Sequence, residues 1–207
     1  KAASMDGTRI YLEPGEVMSL DDMLKSMALA SANDASVAVA ENLGGSEANF
    51  VQQMNAKAKA IGMKDSCFKN VSGMPDQKHY SSAYDMALLS RYTLANTPIL
   101  DYSSLKRHTL RQGDFPIYNS NKLLWQYEGA DGLKNGYTSK AKNCLTATAK
   151  RDNLRLIAVV MGCPLRGGQT ADATALLDYG FEHYSSTKLM PAGKICAAVK
   201  VKSGDAR

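Results

Sequence analysis

From residue 133 onward the apolar residues of this chain change period, and that change constrains the fold more than any other feature. Three strand-length runs follow one another at 133–138, 143–150 and 154–161. The last two are joined by Arg151-Asp152-Asn153, a typical tight connection between antiparallel strands. Residues 169–184 then carry Leu176, Leu177 and Phe181 at helical spacing. Upstream the signals are mostly helical. Helices followed by antiparallel strands and a packing helix point to an α+β fold of mixed α/β layers. At 207 residues there is material for one well-buried domain with a small appendage.

The helical part is punctuated by caps and breakers. Ser19 with Asp22 three residues later resembles a capping box, and Leu20, Met23, Leu24 and Met27 then mark a buried face that ends near Ala30. A second helix is expected over 35–43, closed by Gly44-Gly45. A third begins after Ser46, carries Phe50, Met54 and Ile61, and stops at Gly62. Residues 63–80 read as an irregular loop. Ser82 and Asp85 repeat the cap before a helix to about Ala95, which Pro98 closes. Extended pieces are expected at 9–12, 107–112 and 117–118. Another is expected at 192–202, outside the main core.

The bulk properties exclude several classes. The net charge of +5 is scattered, and the cluster Lys140, Lys142, Lys150 and Arg151 reads as a solvated face. There is no basic stripe with interleaved aromatics, so nucleic acid is not a partner, although an anionic polymer such as a cell wall suits the charge. No apolar run approaches the roughly 20 residues of a membrane span. Cys67, Cys144, Cys163 and Cys196 lack metal or redox spacing and read as small hydrophobes. His79, His108 and His183 lack metal spacing too, and Trp125 reads as a packing residue.

Two short patterns carry chemistry. In Lys134-Asn135-Gly136-Tyr137 the glycine lets an extended ligand lie against the strand and the lysine sets a positive charge beside it. The Tyr137 backbone N–H is a candidate oxyanion donor. Lys202-Ser203-Gly204 repeats the pattern, but no partner strand or packing helix follows it. About 100 residues before Lys134, Ser31-Ala32-Asn33 interrupts the helical pattern. A helix N-cap is one reading of that triplet; the other is a serine that passes a proton and an asparagine that binds a substrate amide. Each pattern alone is unspecific.

Four segments stand in order along the chain: Ile10-Tyr11-Leu12-Glu13-Pro14-Gly15-Glu16, Ser31-Ala32-Asn33-Asp34-Ala35, His79-Tyr80-Ser81-Ser82-Ala83-Tyr84-Asp85-Met86 and Asn121-Lys122-Leu123-Leu124. In these the chain closely resembles the low-molecular-weight penicillin-binding proteins, the D-alanyl-D-alanine carboxypeptidases of bacterial cell-wall maturation. The resemblance implies a penicillin-binding protein or serine β-lactamase-like fold and a serine peptidase that removes the terminal D-alanine of peptidoglycan pentapeptides through an acyl-enzyme. Ser31 and Asn33 become catalytic candidates; Lys134, Asn135, Gly136 and Tyr137 become substrate-binding ones. Muropeptides are the implied partners and β-lactams the implied inhibitors. No metal or organic cofactor is implied. The resemblance also implies an extracytoplasmic location, with export by a signal peptide and membrane attachment through a C-terminal anchor, neither expected within these 207 residues.

The sequence departs from the family pattern twice. Asn135 stands where the family motif Lys-Thr-Gly has threonine. The family's nucleophile lies in a Ser-x-x-Lys motif upstream of Ser-x-Asn. Here the pattern occurs at Ser66/Lys69, Ser103/Lys106, Ser139/Lys142 and Ser185/Lys188, all downstream of Ser31 and so in the wrong order. The expectation is a chain truncated at both ends: a peptidase domain over 1–186 without its nucleophile segment, and the start of a β-rich domain over 187–207. A non-catalytic muropeptide-binding protein is the alternative from another class, with a β-lactamase behind it.

Overall fold

The computed structural model describes residues 1–190 and 193–195. After a 3-10 turn at Ala2–Ser4 come helices α1 (Leu20–Ala30), α2 (Asn33–Gly44), α3 (Glu47–Ala60), α4 (Ala83–Asn96) and α5 (Ile99–Ser103). Strands β1 (Arg107–Leu110) and β2 (Phe115–Tyr118) form a small antiparallel pair. The short helix α6 (Leu123–Gln126) leads into β3 (Ala130–Thr138), β4 (Lys142–Arg151) and β5 (Leu154–Cys163), and α7 (Gly168–His183) closes the fold. The larger sheet is antiparallel in the order β3-β4-β5, so β3 is an edge strand among the described residues.

Local chemistry explains the helix starts. Ser19, Ser46 and Ser82 each accept a hydrogen bond from the backbone N–H three residues on, satisfying one orphan donor of the first turn. The reciprocal half of a capping box is absent at both serine–aspartate pairs. Asp22 instead bonds His108 Nε2 at 2.8 Å, and that contact holds its carboxyl below the usual range. Asp85 accepts from the Lys64 and Asp65 N–H groups and from Ser66 Oγ, so it organises the loop at 63–80.

Two cores result. Ile10, Leu12, Leu29, Ala32, Ala35, Leu110 and Ile117 form one, between the helices and the small sheet. Leu123, Leu145, Ala147, Ala149, Ala158, Ala173 and Leu177 form the other, between α7 and the larger sheet. Each fully buried leucine contributes about 1.5–3 kcal/mol. Gly180 permits the close approach of α7, because a Cβ there would stand 2.5 Å from Leu156 Cδ1.

Several expectations need correction. Leu20 is 51% exposed; as the first residue of α1 it precedes the turn that faces the core. Leu176, on the outer side of α7, is equally exposed. Trp125 lies half exposed, with Lys106 Nζ 5.9 Å from its ring centre, and is not packed inside. Pro98 ends α4 but also opens α5, since its fixed φ suits a helix start. The extended run at 107–112 breaks after Leu110, where Arg111 and Gln112 take positive φ angles in a tight turn. Residues 9–12 join no sheet. Of the cysteines, Cys163 is buried, while Cys67 and Cys144 are partly buried; all three are free thiols. Residues 191–192 and 196–207 lie outside the described residues, and with them Cys196, Lys202-Ser203-Gly204 and most of the run expected at 192–202. No helix among the described residues is long and apolar enough to cross a membrane.

Candidate active site

The junction of α1 and α2 builds one wall. Ser31 ends α1 with φ 57° and ψ 41°, the left-handed conformation that glycine usually supplies at a helix C-terminus. A serine there costs about 1 kcal/mol or more. The turn places the Ser31 hydroxyl in the cleft. Asn33 is the first residue of α2; its N–H donates to Thr8 O at 2.8 Å and its Nδ2 to Asp6 O at 2.7 Å. Gly7 makes the second bond possible, because a Cβ at that position would fall 2.6 Å from Asn33 Nδ2. Neither Ser31 nor Asn33 caps α2: Ala32 occupies the N-cap position and makes no side-chain bond.

Asp34 holds this wall in place. It is fully buried and accepts from the Ile10 N–H (3.1 and 3.2 Å), the Leu12 N–H (3.1 Å) and the Ala35 N–H (2.9 Å). Backbone donors thus surround the carboxylate on the core side while its neighbour Asn33 faces the cleft.

Strand β3 builds the opposite wall. Lys134, Asn135, Gly136 and Tyr137 pair with Thr146, Leu145, Cys144 and Asn143 of β4. Lys134 Nζ bonds the Ser31 hydroxyl and also donates to Asn135 O at 2.8 Å. Burial lowers its pKa to about 8. Burial thus disfavours the charged form of the lysine, and the Ser31 hydroxyl stands directly beside it on the cleft wall. The open side of Gly136 has no atom within 4 Å of a built Cβ, so a ligand can lie flat against the strand.

A third element completes the rim. In the turn Asn119-Ser120-Asn121 both asparagines are buried, while Ser120 is exposed and donates to Asn135 Oδ1 at 2.9 Å. Ser31, Asn33, Ser120 and the stretch from Lys134 to Thr138 line one cleft of about 1170 Å³. The structure thus brings all six candidate residues to one cleft, with Ser31 and Lys134 in contact across 103 positions of sequence.

The family model for D-alanyl-D-alanine carboxypeptidases matches residues 1–164. The chain belongs to that family. It is 46% identical over 206 residues to the D-alanyl-D-alanine carboxypeptidase DacF of Bacillus subtilis, covering 98% of this chain and 53% of the relative. Its structure resembles penicillin-binding protein 5 of Haemophilus influenzae, with a TM-score of 0.85 and 35% identity over 91% of this chain and 55% of that one. It also resembles penicillin-binding protein D2 of Listeria monocytogenes in its ampicillin-bound form, with a TM-score of 0.77 and 29% identity over 86% and 74% of the two chains. The chain spans about half the length of the curated relatives it matches.

Within this carboxypeptidase-family fold the four Ser-x-x-Lys matches make no dyad. Ser66 bonds Asp85 and Ser81 in the loop at 63–80. Ser103 is buried and donates to Asp131 O. Ser139 sits in the turn between β3 and β4, and Ser185 follows α7 outside any helix. The histidines lie elsewhere: His108 is paired with Asp22, and burial against Phe68 lowers the pKa of His79. Among the described residues no cluster of histidine, cysteine or carboxylate groups could hold a metal. The sequence reading does not point to Asp6, Gly7 or Ser120. The repeated Asn-x-Asn at 119–121 is the signal that could have drawn attention to Ser120, since paired asparagines often pin a turn.

Proposed function

We propose that this chain forms the substrate-gripping walls of a serine-type D-alanyl-D-alanine carboxypeptidase acting on peptidoglycan pentapeptides outside the cytoplasm. The observation that carries the reading is the contact between the partly desolvated Lys134 ammonium and the Ser31 hydroxyl, on the walls of the cleft of a family member.

The stem peptide lies extended along Gly136, with its terminal carboxylate against Lys134 and the Asn135 amide. The nucleophile is the serine of the family's Ser-x-x-Lys motif. It attacks the carbonyl of the penultimate D-alanine as its hydroxyl proton passes to the lysine of the same motif, and the Tyr137 N–H stabilises the oxyanion. Ser31 passes a proton to the departing nitrogen, the bond to the terminal D-alanine breaks, and Asn33 holds the substrate amide. Water then attacks the ester and releases the shortened peptide. β-Lactams acylate the same serine, in keeping with the ampicillin-bound form of the Listeria relative.

Fluorescent penicillin and release of D-alanine from a pentapeptide test this reading. Both are applied to the 207-residue chain and to the protein read from the start of its reading frame. A protein that carries this chain behind a Ser-x-x-Lys segment is expected to label on that serine and to release D-alanine; failure of both refutes the activity. Covalent labelling of the 207-residue chain would refute the rejection of its internal serines. Asn135 in the threonine position favours a second reading, a muropeptide-binding protein without turnover, which predicts peptide binding and no D-alanine release.

A further inference from the structure

The formal charge of this cleft is all of one sign. Among the described residues Lys122, Lys134, Lys142 and Arg166 line it, and no carboxylate does. Lys134 is engaged by Ser31 and by Asn135 O. Lys142 belongs to the basic cluster that reads in sequence as a solvated face, but the structure divides that cluster. Lys142 lines the cleft, while its neighbour Lys140 in the same turn does not.

The backbone fixes where Lys142 stands. It opens β4 opposite Thr138, the last residue of β3. Thr138 Oγ1 accepts from the Ala141 N–H at 2.9 Å and pins the turn between them. Lys142 has a φ of 60°, a left-handed conformation that glycine adopts freely and that a Cβ opposes. Glycine would suit the turn better; what lysine adds is a charge. Its ammonium is exposed and has no hydrogen-bond or ion-pair partner among the described residues.

We propose that Lys142 forms a second anion subsite, which selects stem peptides whose third residue from the C-terminus carries a carboxylate on a long side chain. The proposal rests on the assignment of this cleft to a D-alanyl-D-alanine peptide. In that pose the terminal carboxylate lies against Lys134 and Asn135, and the penultimate carbonyl meets the Tyr137 N–H. The peptide therefore runs antiparallel to β3, and its third residue from the end stands beside Thr138. Lys142 is on the next strand, two strand spacings or about 10 Å from the peptide backbone. The four-carbon stem of the lysine and a long acidic side chain meet across that gap.

The test is calorimetric binding to the 207-residue chain of acetyl-L-α-aminopimelyl-D-alanyl-D-alanine and of the same peptide with that side chain as its carboxamide. The two differ by one charge. The acid is expected to bind about fivefold tighter, the upper scale of an exposed ion pair. That preference should fade between about 0.01 M and about 1 M salt. Lys142→Gly, which fits the left-handed backbone, should bring the ratio of the two affinities close to one, and Lys142→Arg should keep it. Lys140→Gln removes the same charge from the same turn outside the cleft lining and should leave the ratio at its parent value. Equal affinities in the parent chain, or an equal fall in the ratio for Lys140→Gln and Lys142→Gly, would overturn the subsite and leave the substrate assignment standing. A parent chain that binds neither peptide would overturn both.

Discussion

Replacing Lys134 by methionine should change how the stability of this chain responds to alkali. In the folded protein burial brings the lysine pKa from 10.5 down to about 8. The unfolded chain keeps its ordinary value. Between these two values the unfolded state binds more protons, so unfolding becomes less favourable as the pH rises. The contribution is near zero at pH 7, where both states are protonated. At pH 9.5 it amounts to about 2 kcal/mol, from the ratio of the two titration curves at about 1.4 kcal/mol per pH unit. Few other shifted groups interfere in that window. Lys1 and Lys25 are raised by Glu47 and Asp21, so they lose stabilisation only above their ordinary range. Tyr127 is raised to about 12, chiefly by burial, and it too acts at higher pH. Urea unfolding followed by circular dichroism at pH 7, 8, 9 and 9.5, on the parent chain and on Lys134→Met, isolates the lysine by difference. The parent should gain about 2 kcal/mol more than the variant over that interval. Identical pH profiles would show that Lys134 is not desolvated, and the proton-relay reading of the Ser31 contact would go with it.

Three other outcomes are expected. Asp34→Ala strips the acceptor from three buried backbone N–H groups and should cost about 3 kcal/mol or more in urea unfolding, at about 1–3 kcal/mol per orphaned donor; a loss under about 1 kcal/mol would refute the tethering role. Gly7→Ala forces a Cβ to 2.6 Å from Asn33 Nδ2 at a φ of +81°, so it should reduce peptide affinity in calorimetry as Asn33 is displaced. Asn135→Thr, in the protein read from the start of its frame, should speed D-alanine release, and an unchanged or slower rate would show that asparagine is no handicap there.

The elements with strong periodicity were legible. The limits of α1, α4 and β5 follow from serine caps, apolar spacing and a tight turn, all local signals. What escaped depends on partners distant in sequence. Residues 9–12 look like a strand because their apolar residues alternate, yet their N–H groups go to a carboxylate that stands 22 to 24 residues later. The same holds in the cleft. Lys134 and Ser31 were legible as motifs, but the lowered pKa of the lysine follows from burial, which no spacing reveals. Ser31 also looked like a helix start and is a helix end; the letters Ser-Ala-Asn favour a cap and say nothing of a left-handed backbone.

The grip of Asp34 on residues 10 and 12 has a kinetic consequence. Amides in a segment without regular structure normally exchange with solvent quickly, through small local openings. Here the Ile10 and Leu12 amides are bonded to a side chain rooted in the first turn of α2, and Ile10 is fully buried in the helical core. To free them the chain must dismantle the base of the cleft and the core beneath it. Their deuterium uptake should track global unfolding, so this irregular strap serves as a reporter of whether the peptide cleft is assembled.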